Sequence, residues 1–192
     1  MIHRRKFSML AGLFALTCIA GVAARADEPK AKERKAYTEP PKMAIDVEKK
    51  YIATIETAKG KIVCELFPKE APQTVNSFVF LAREGYFDGL TFHRVENWVI
   101  QGGDPTGTGG GGPGYKLKSE ARNNTHKHEP GTLAMARTND PDSAGSQFYF
   151  TKQATPHLDG AYTVFGQATE GLDVITAIRA GDEIKKVTIE EK

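Results

Sequence analysis

The chain has 192 residues, 40% of them hydrophobic, which is enough for one domain with a real core plus an extension. Its formal charge of +2 is set by the N-terminus. Residues 1–26 hold Arg4, Arg5, Lys6 and Arg25 and no acid, leaving 22 of the 26 basic residues against 24 acidic ones. That near-neutral remainder excludes an electrostatic case for nucleic acid.

In chain order, the first segment reads as an export signal. His3-Arg4-Arg5-Lys6 is a charged start, Phe7 to Ala24 an uncharged apolar run, and Ala24-Arg25-Ala26 supplies the small residues of a cleavage site. Cleavage after Ala26 starts the mature chain at Asp27, outside the cytoplasm (periplasmic or secreted). An uncleaved membrane anchor is the alternative, since the run is long enough for a thin bilayer. Arg4-Arg5-Lys6-Phe7 resembles a twin-arginine export pattern. Cys18 leaves with the signal, so Cys64 stands alone and no intramolecular disulfide forms. Cys64 lies in an alternating run and reads as a buried small hydrophobe.

Residues 27–50 are rich in Lys, Glu and Pro, as in Asp27-Glu28-Pro29-Lys30 and Glu39-Pro40-Pro41-Lys42, and read as a charged extended linker. The folded part spans 51–192. Tyr51 to Thr57 and Lys61 to Phe67 alternate apolar and polar residues around Ala58-Lys59-Gly60, predicting a β-hairpin. Pro72 to Arg83 carries a helical period through Val75, Phe78, Val79 and Ala82, and Gly85 ends it. Short strands are predicted at 91–95, 98–101, 131–136, 146–151 and 162–168. A second amphipathic helix is predicted from Gly171 to Ala180, and a last strand from Glu183 to Glu190. Many short strands with two separated helices predict a mainly β barrel capped by helices. Strand and helix do not alternate strictly, so a doubly wound parallel sheet is excluded.

Several constellations suggest chemistry and fall short of it. Gly107-Thr108-Gly109-Gly110-Gly111-Gly112 matches a dinucleotide fingerprint, but Pro113-Gly114-Tyr115 starts no helix to hold a pyrophosphate, so it reads as a surface loop. His126 and His128 flank Lys127 without an evident third ligand and read as solvated loop histidines. Ser146 lacks the second glycine of a nucleophile elbow. What remains is a set of polar donors, Arg94, Gln101 and Gln147, in otherwise apolar strands. Trp98, Val99, Phe148, Tyr149 and Leu158 lie close to them in sequence. An arginine stays protonated and cannot act as a base. Arg94 is therefore a fixed hydrogen-bond donor, and the chemistry is one helped by donation.

These residues carry a family resemblance. Phe92-His93-Arg94-Val95, Trp98-Val99-Ile100-Gln101-Gly102-Gly103-Asp104, Gly145-Ser146-Gln147-Phe148-Tyr149, His157-Leu158-Asp159-Gly160 and Val164-Phe165-Gly166 occur in cyclophilin order. The chain resembles a cyclophilin-type peptidyl-prolyl cis-trans isomerase in its compact bacterial form, from about Tyr51 to Ile189. The resemblance implies a closed eight-stranded antiparallel β-barrel capped by two helices. It implies catalysis by Arg94 with Gln101, and substrate contacts from Trp98, Val99, Ala136, Arg137, Gln147, Tyr149, His157, Leu158 and Tyr162. The partners implied are proline-containing, unfolded or flexible protein segments, with no cofactor and no metal; the default assembly is a monomer. A barrel that binds proline segments with little turnover, as a chaperone module, is the alternative. The segment between Arg94 and Gln101 is one residue shorter than in well-known eukaryotic members. His157 stands where those carry a Trp that contacts cyclosporin, which implies weak cyclosporin binding. Tyr162 replaces a His at the pocket rim.

Overall fold

The computed structural model describes residues 34–192. The expectations for residues 1–26 lie outside the described residues, and so does the first part of the expected linker. Among the described residues, no helix is long and apolar enough to cross a membrane.

The elements are β1 (Tyr51–Thr57), β2 (Gly60–Leu66), α1 (Pro72–Arg83), β3 (Arg94–Val95), β4 (Val99–Gly102), β5 (Thr132–Met135), β6 (Phe148–Thr151), β7 (Val164–Glu170), α2 (Leu172–Ala177) and β8 (Ile184–Glu191), with 3₁₀ turns at Pro141–Ser143 and Pro156–Leu158. The strands form one antiparallel sheet in the order β3-β4-β6-β5-β7-β2-β1-β8. The expected hairpin is β1–β2, in register from Ile52 opposite Glu65 to Thr57 opposite Gly60. Alternation explains it: every second residue of β1 is buried.

The sheet is mainly β as expected, but the expected closed barrel is open. β3 has two residues and pairs only with β4, while β8 pairs with β1. The expected strand 91–95 shrinks because its first part leaves the ladder. Gly85 and Gly89 take positive φ and bring residues 89–92 against 181–184, where a single bridge, Thr91 to Glu183, forms. The Phe92 amide donates to Asp182 and the Ile184 amide to Leu90 across this seam. The gap is stapled by loop hydrogen bonds, without a strand ladder.

α1 lies on the sheet through Val75, Phe78, Val79 and Ala82. Phe78 packs on Phe87, Phe148 and Phe165 at 5.0–5.7 Å between ring centres. Its first turn has no side-chain cap of its own. The Glu120 carboxylate takes over, accepting from the amides of Gln73 and Thr74 at 2.9 Å each. α2 is shorter than the helix expected over 171–180. It ends at Ala177 because Ile178 turns to an extended ψ of 138° and buries its side chain. Cys64 is free and fully buried, and burial pushes its thiol up.

Residues 34–50 contain no helix or strand, yet from Tyr37 onward this part of the expected linker is a docked strap. The Tyr37 ring meets Phe80 and Tyr115 edge-on, and its amide donates to Pro113. Asn76, buried in α1, ties the rest. Its Oδ1 accepts from Ala44 and Ile45, and its Nδ2 donates to the carbonyls of Pro41 and Lys42. Composition hides this docking, because one buried amide and two aromatic edges hold a segment with few apolar residues of its own.

Candidate active site

Pleating sends alternate residues of the central strands to opposite faces. Ile100, Leu133, Met135, Phe148, Phe150 and Phe165 enter the main core. Val99, Ala134, Tyr149 and Val164 point the other way and form a second apolar cluster, joined by Phe67, Trp98, Ala136, Leu158 and Tyr162. This outward cluster floors a cavity of about 410 Å³.

Nine of the expected site residues line that cavity: Arg94, Trp98, Val99, Gln101, Ala136, Arg137, Tyr149, Leu158 and Tyr162. Gln147 lies beside it, in a contiguous groove of about 800 Å³ that shares Gln101, Gly109, Ala136 and Arg137 with the first. His157 is outside the lining, with its ring 6.0 Å from Trp98 and edge-on to it. The sequence reading missed His93, Gly107, Thr108 and Gly109 among the lining residues. The sequence marks Gly107, Thr108 and Gly109 only as a surface loop, and it is the fold that brings that loop to the cavity.

The polar side of the cavity is a directed relay. Arg94 Nε donates to Glu96 at 2.8 Å and Nη1 donates to Gln101 Oε1 at 3.1 Å. Gln101 Nε2 donates to Gln147 Oε1 at 2.8 Å, and Gln147 Nε2 donates to the carbonyls of Gly109 and Gly111, both at 2.9 Å. The direction is forced. Arginine only donates and a carbonyl only accepts, so both amides have one orientation that satisfies the row. The bond from Arg94 also holds the Glu96 carboxyl below its ordinary value. β3 and β4 pair Arg94 with Gln101 and Val95 with Ile100, leaving a tight turn at Asn97-Trp98. In this shortened segment Trp98 stays on the cavity, with the Arg94 guanidinium 5.4 Å from the centre of its ring.

The apolar side is held from behind. His128 is 1% exposed, so the expected solvated loop histidine is buried. Its Nδ1 bonds Asp159 and its Nε2 bonds the Tyr149 hydroxyl, both at 2.9 Å. Burial pushes the imidazole pKa down although Asp159 pulls it up, and the bond to His128 holds Asp159 low. A neutral ring donating from Nδ1 to the carboxylate and accepting from Tyr149 satisfies all three groups. His126, two residues away, stacks on Phe67 at 3.9 Å. Tyr162 meets Tyr149 edge-on at 5.9 Å and lies 4.4 Å beneath the Arg137 guanidinium, which donates to the Ala161 carbonyl.

The other candidate chemistries lose their groups to structure. The Ser146 hydroxyl is buried and donates to the Gly103 carbonyl at 2.6 Å. No cluster of three His, Cys, Asp or Glu side chains suited to a metal occurs among the described residues.

The family model of the cyclophilin type peptidyl-prolyl cis-trans isomerases matches residues 52–192. A peptidyl-prolyl cis-trans isomerase of Helicobacter pylori (strain 26695) is 51% identical over 138 residues, covering 70% of this chain and 84% of that protein. Peptidyl-prolyl cis-trans isomerase B of Bacillus subtilis is 50% identical over 132 residues, covering 68% and 92%. Among solved structures, a cyclophilin type isomerase of Cryptosporidium parvum aligns with a TM-score of 0.67 at 31% identity, covering 74% of this chain and 99% of that one. The same protein crystallised in the presence of the dipeptide Ala-Pro aligns equally well. The chain therefore belongs to the cyclophilin-type peptidyl-prolyl cis-trans isomerases, a family of enzymes.

Proposed function

We propose that this enzyme accelerates X-Pro isomerisation in protein segments by donating a hydrogen bond from Arg94 to the twisting imide nitrogen, with the proline ring seated in the apolar part of the cavity. The uncatalysed barrier is about 20 kcal/mol, most of it lost amide resonance, and crossing takes tens of seconds. As the bond twists, the proline nitrogen regains a lone pair that can accept a hydrogen bond. The planar cis and trans states offer no such acceptor. A donor at that atom therefore binds the transition state and hardly touches the ground states.

The observation that carries the reading is the relay. Nε and Nη1 of Arg94 are committed to Glu96 and Gln101, which holds the planar fork in place and leaves Nη2 uncommitted among the described residues. A guanidinium held this way needs little reorganisation when the bond twists. Val99, Trp98, Tyr149 and Leu158 supply apolar walls for a proline ring, and their low dielectric strengthens a donor at the rim. The contiguous groove past Ala136 and Arg137 has room for the residues that precede or follow the proline. No covalent intermediate is needed.

The test is isomerisation of a short X-Pro peptide followed by NMR exchange, wild type beside Arg94→Ala. Loss of most of the acceleration in the variant is expected. Equal acceleration by both would remove the arginine from the mechanism, and peptide binding without acceleration by wild type would favour the binding module. We propose that the enzyme works outside the cytoplasm, on the strength of the charged, apolar and small-residue order of residues 1–26. Mass spectrometry of the mature protein should find Asp27 at its N-terminus, and Met1 there would refute cleavage.

A further inference from the structure

The relay does not end at the glycine carbonyls. Asp104 is 1% exposed and its carboxylate sits inside the loop that bears them. Oδ1 accepts from the Thr106 amide at 2.7 Å and the Thr106 hydroxyl at 2.8 Å, and Oδ2 accepts from the Gly109 amide. Because the Thr106 hydroxyl is spent on Asp104, the 2.7 Å bond it shares with Thr108 is donated by Thr108, a residue of the cavity lining. The loop winds closely around the carboxylate. A side chain at Gly111 would place its Cβ 2.2 Å from Asp104 Oδ1.

A carboxylate only accepts, so it draws the loop amides inward. Gly109 is the joint: its amide bonds Asp104, and its carbonyl, in the next peptide plane, bonds Gln147. That next plane carries the Gly110 amide, which donates to Thr108 Oγ1, and the Thr108 hydroxyl leads back through Thr106 to Asp104. The Gly109 and Gly111 carbonyls are the two acceptors for Gln147 Nε2. From there the row runs through Gln101 to Arg94. Burial alone would push the Asp104 carboxyl up, but the hydrogen bonds from the loop outweigh it and hold the group below its ordinary value, ionised at neutral pH.

We propose that Asp104 is a positioning residue for the isomerisation: its buried carboxylate shapes the loop that presents the Gly109 and Gly111 carbonyls, and these orient Gln147, Gln101 and, through them, Arg94. The inference rests on the reading of Arg94 as the donor. It also gives the glycine run a task. At Gly111 the backbone comes closer to the carboxylate than any side chain would permit, and Gly107 and Gly109 take the positive φ that turns the loop around it.

The test is a double-mutant cycle in the X-Pro exchange assay on the full chain, with kcat and KM measured separately. Asp104→Asn keeps the shape and turns one acceptor into a donor facing the loop's own donors. It should lower kcat about tenfold with KM within about twofold. In a Gln147→Ala background, where the link to Gln101 is already cut, the same change should cost less than about twofold. An equal loss in both backgrounds, or an unchanged kcat, overturns the proposal. If Asp104→Asn does not fold, Thr106→Val removes one donor, the hydroxyl, from the same carboxylate and leaves the amide in place. It should lower kcat about threefold in the wild-type background and leave it unchanged beside Gln147→Ala; an unchanged kcat in the wild-type background overturns the proposal. The two readings fail separately. Full activity of Arg94→Ala sinks the donor role itself, whereas an inactive Arg94→Ala beside a fully active Asp104→Asn sinks only the role of Asp104.

Discussion

The two sides of the cavity are built by opposite means. On the arginine side, an exposed guanidinium is oriented by a row of hydrogen bonds that leads back to a loop wound around a buried carboxylate. On the tyrosine side, buried apolar walls are fixed from behind by a neutral imidazole and a second carboxylate, none of which faces the cavity. The difference follows from what each side must do. A donor must stay charged and reachable, so its order comes from directional bonds. A wall must exclude water, so its order comes from packing, and the buried Tyr149 hydroxyl is bonded out of sight.

That contrast can be broken by substitution. The largest effect is expected from Arg94→Ala. It should lower kcat/KM by about a hundredfold, the loss typical of one transition-state donor, while the melting temperature moves little because the side chain is exposed. Tyr149→Phe should do the reverse. Removing the hydroxyl leaves His128 Nε2 buried without its partner, at about 1–2 kcal/mol of stability by urea unfolding, while the ring still walls the cavity and kcat/KM stays within about threefold. A large kinetic loss with unchanged stability would mean that the tyrosine side is catalytic after all.

Acidity gives a smaller, directional effect. The folded protein holds His128 below its ordinary value, so the unfolded chain binds more protons as pH falls from about 6.5. Stability present above that pH should therefore be lost on acidification toward the lowered folded value. Asp159, also held low, adds loss of the same sign in the more acidic range. His128→Gln should flatten the slope of melting temperature against pH just below 6.5. It should not abolish it, because burial lowers His93 too. An unchanged slope would show that the imidazole is not the group responsible. The smallest effect is expected at the rim. Arg137→Ala removes a cation from above the Tyr162 ring at a half-buried position and should cost about 0.5–1 kcal/mol. A larger stability loss would mean that Tyr162 depends on Arg137 for its place against Tyr149.

How much was legible in the sequence depends on the range of the interaction. Tyr51–Thr57 and Pro72–Arg83 appear where the pattern puts them, because a period of two or of 3.6 is a property of neighbours in the chain. The placement of Val99 and Gln101 on one face of β4 follows from the same alternation. His128 and the strap could not be read that way. His128 is buried by Tyr149 and Asp159, 21 and 31 residues away, and a His-Lys-His triplet looks solvated without them. The strap is bound by Asn76 in α1, which no local pattern marks as a receptor.

The amino-acid sequence by itself determined the element types, the alternation that separates core from site, and the identity of a donor that cannot act as a base. These depend on covalent geometry and side-chain chemistry, which every neighbouring residue already carries. The tertiary structure decided that the sheet stays open at β3 and β8, that the strap docks, and that Asp104 and His128 lie buried behind the two sides of the cavity. Each of those outcomes is set by which distant groups complete a hydrogen bond or fill a void. That completion exists only once the chain has folded.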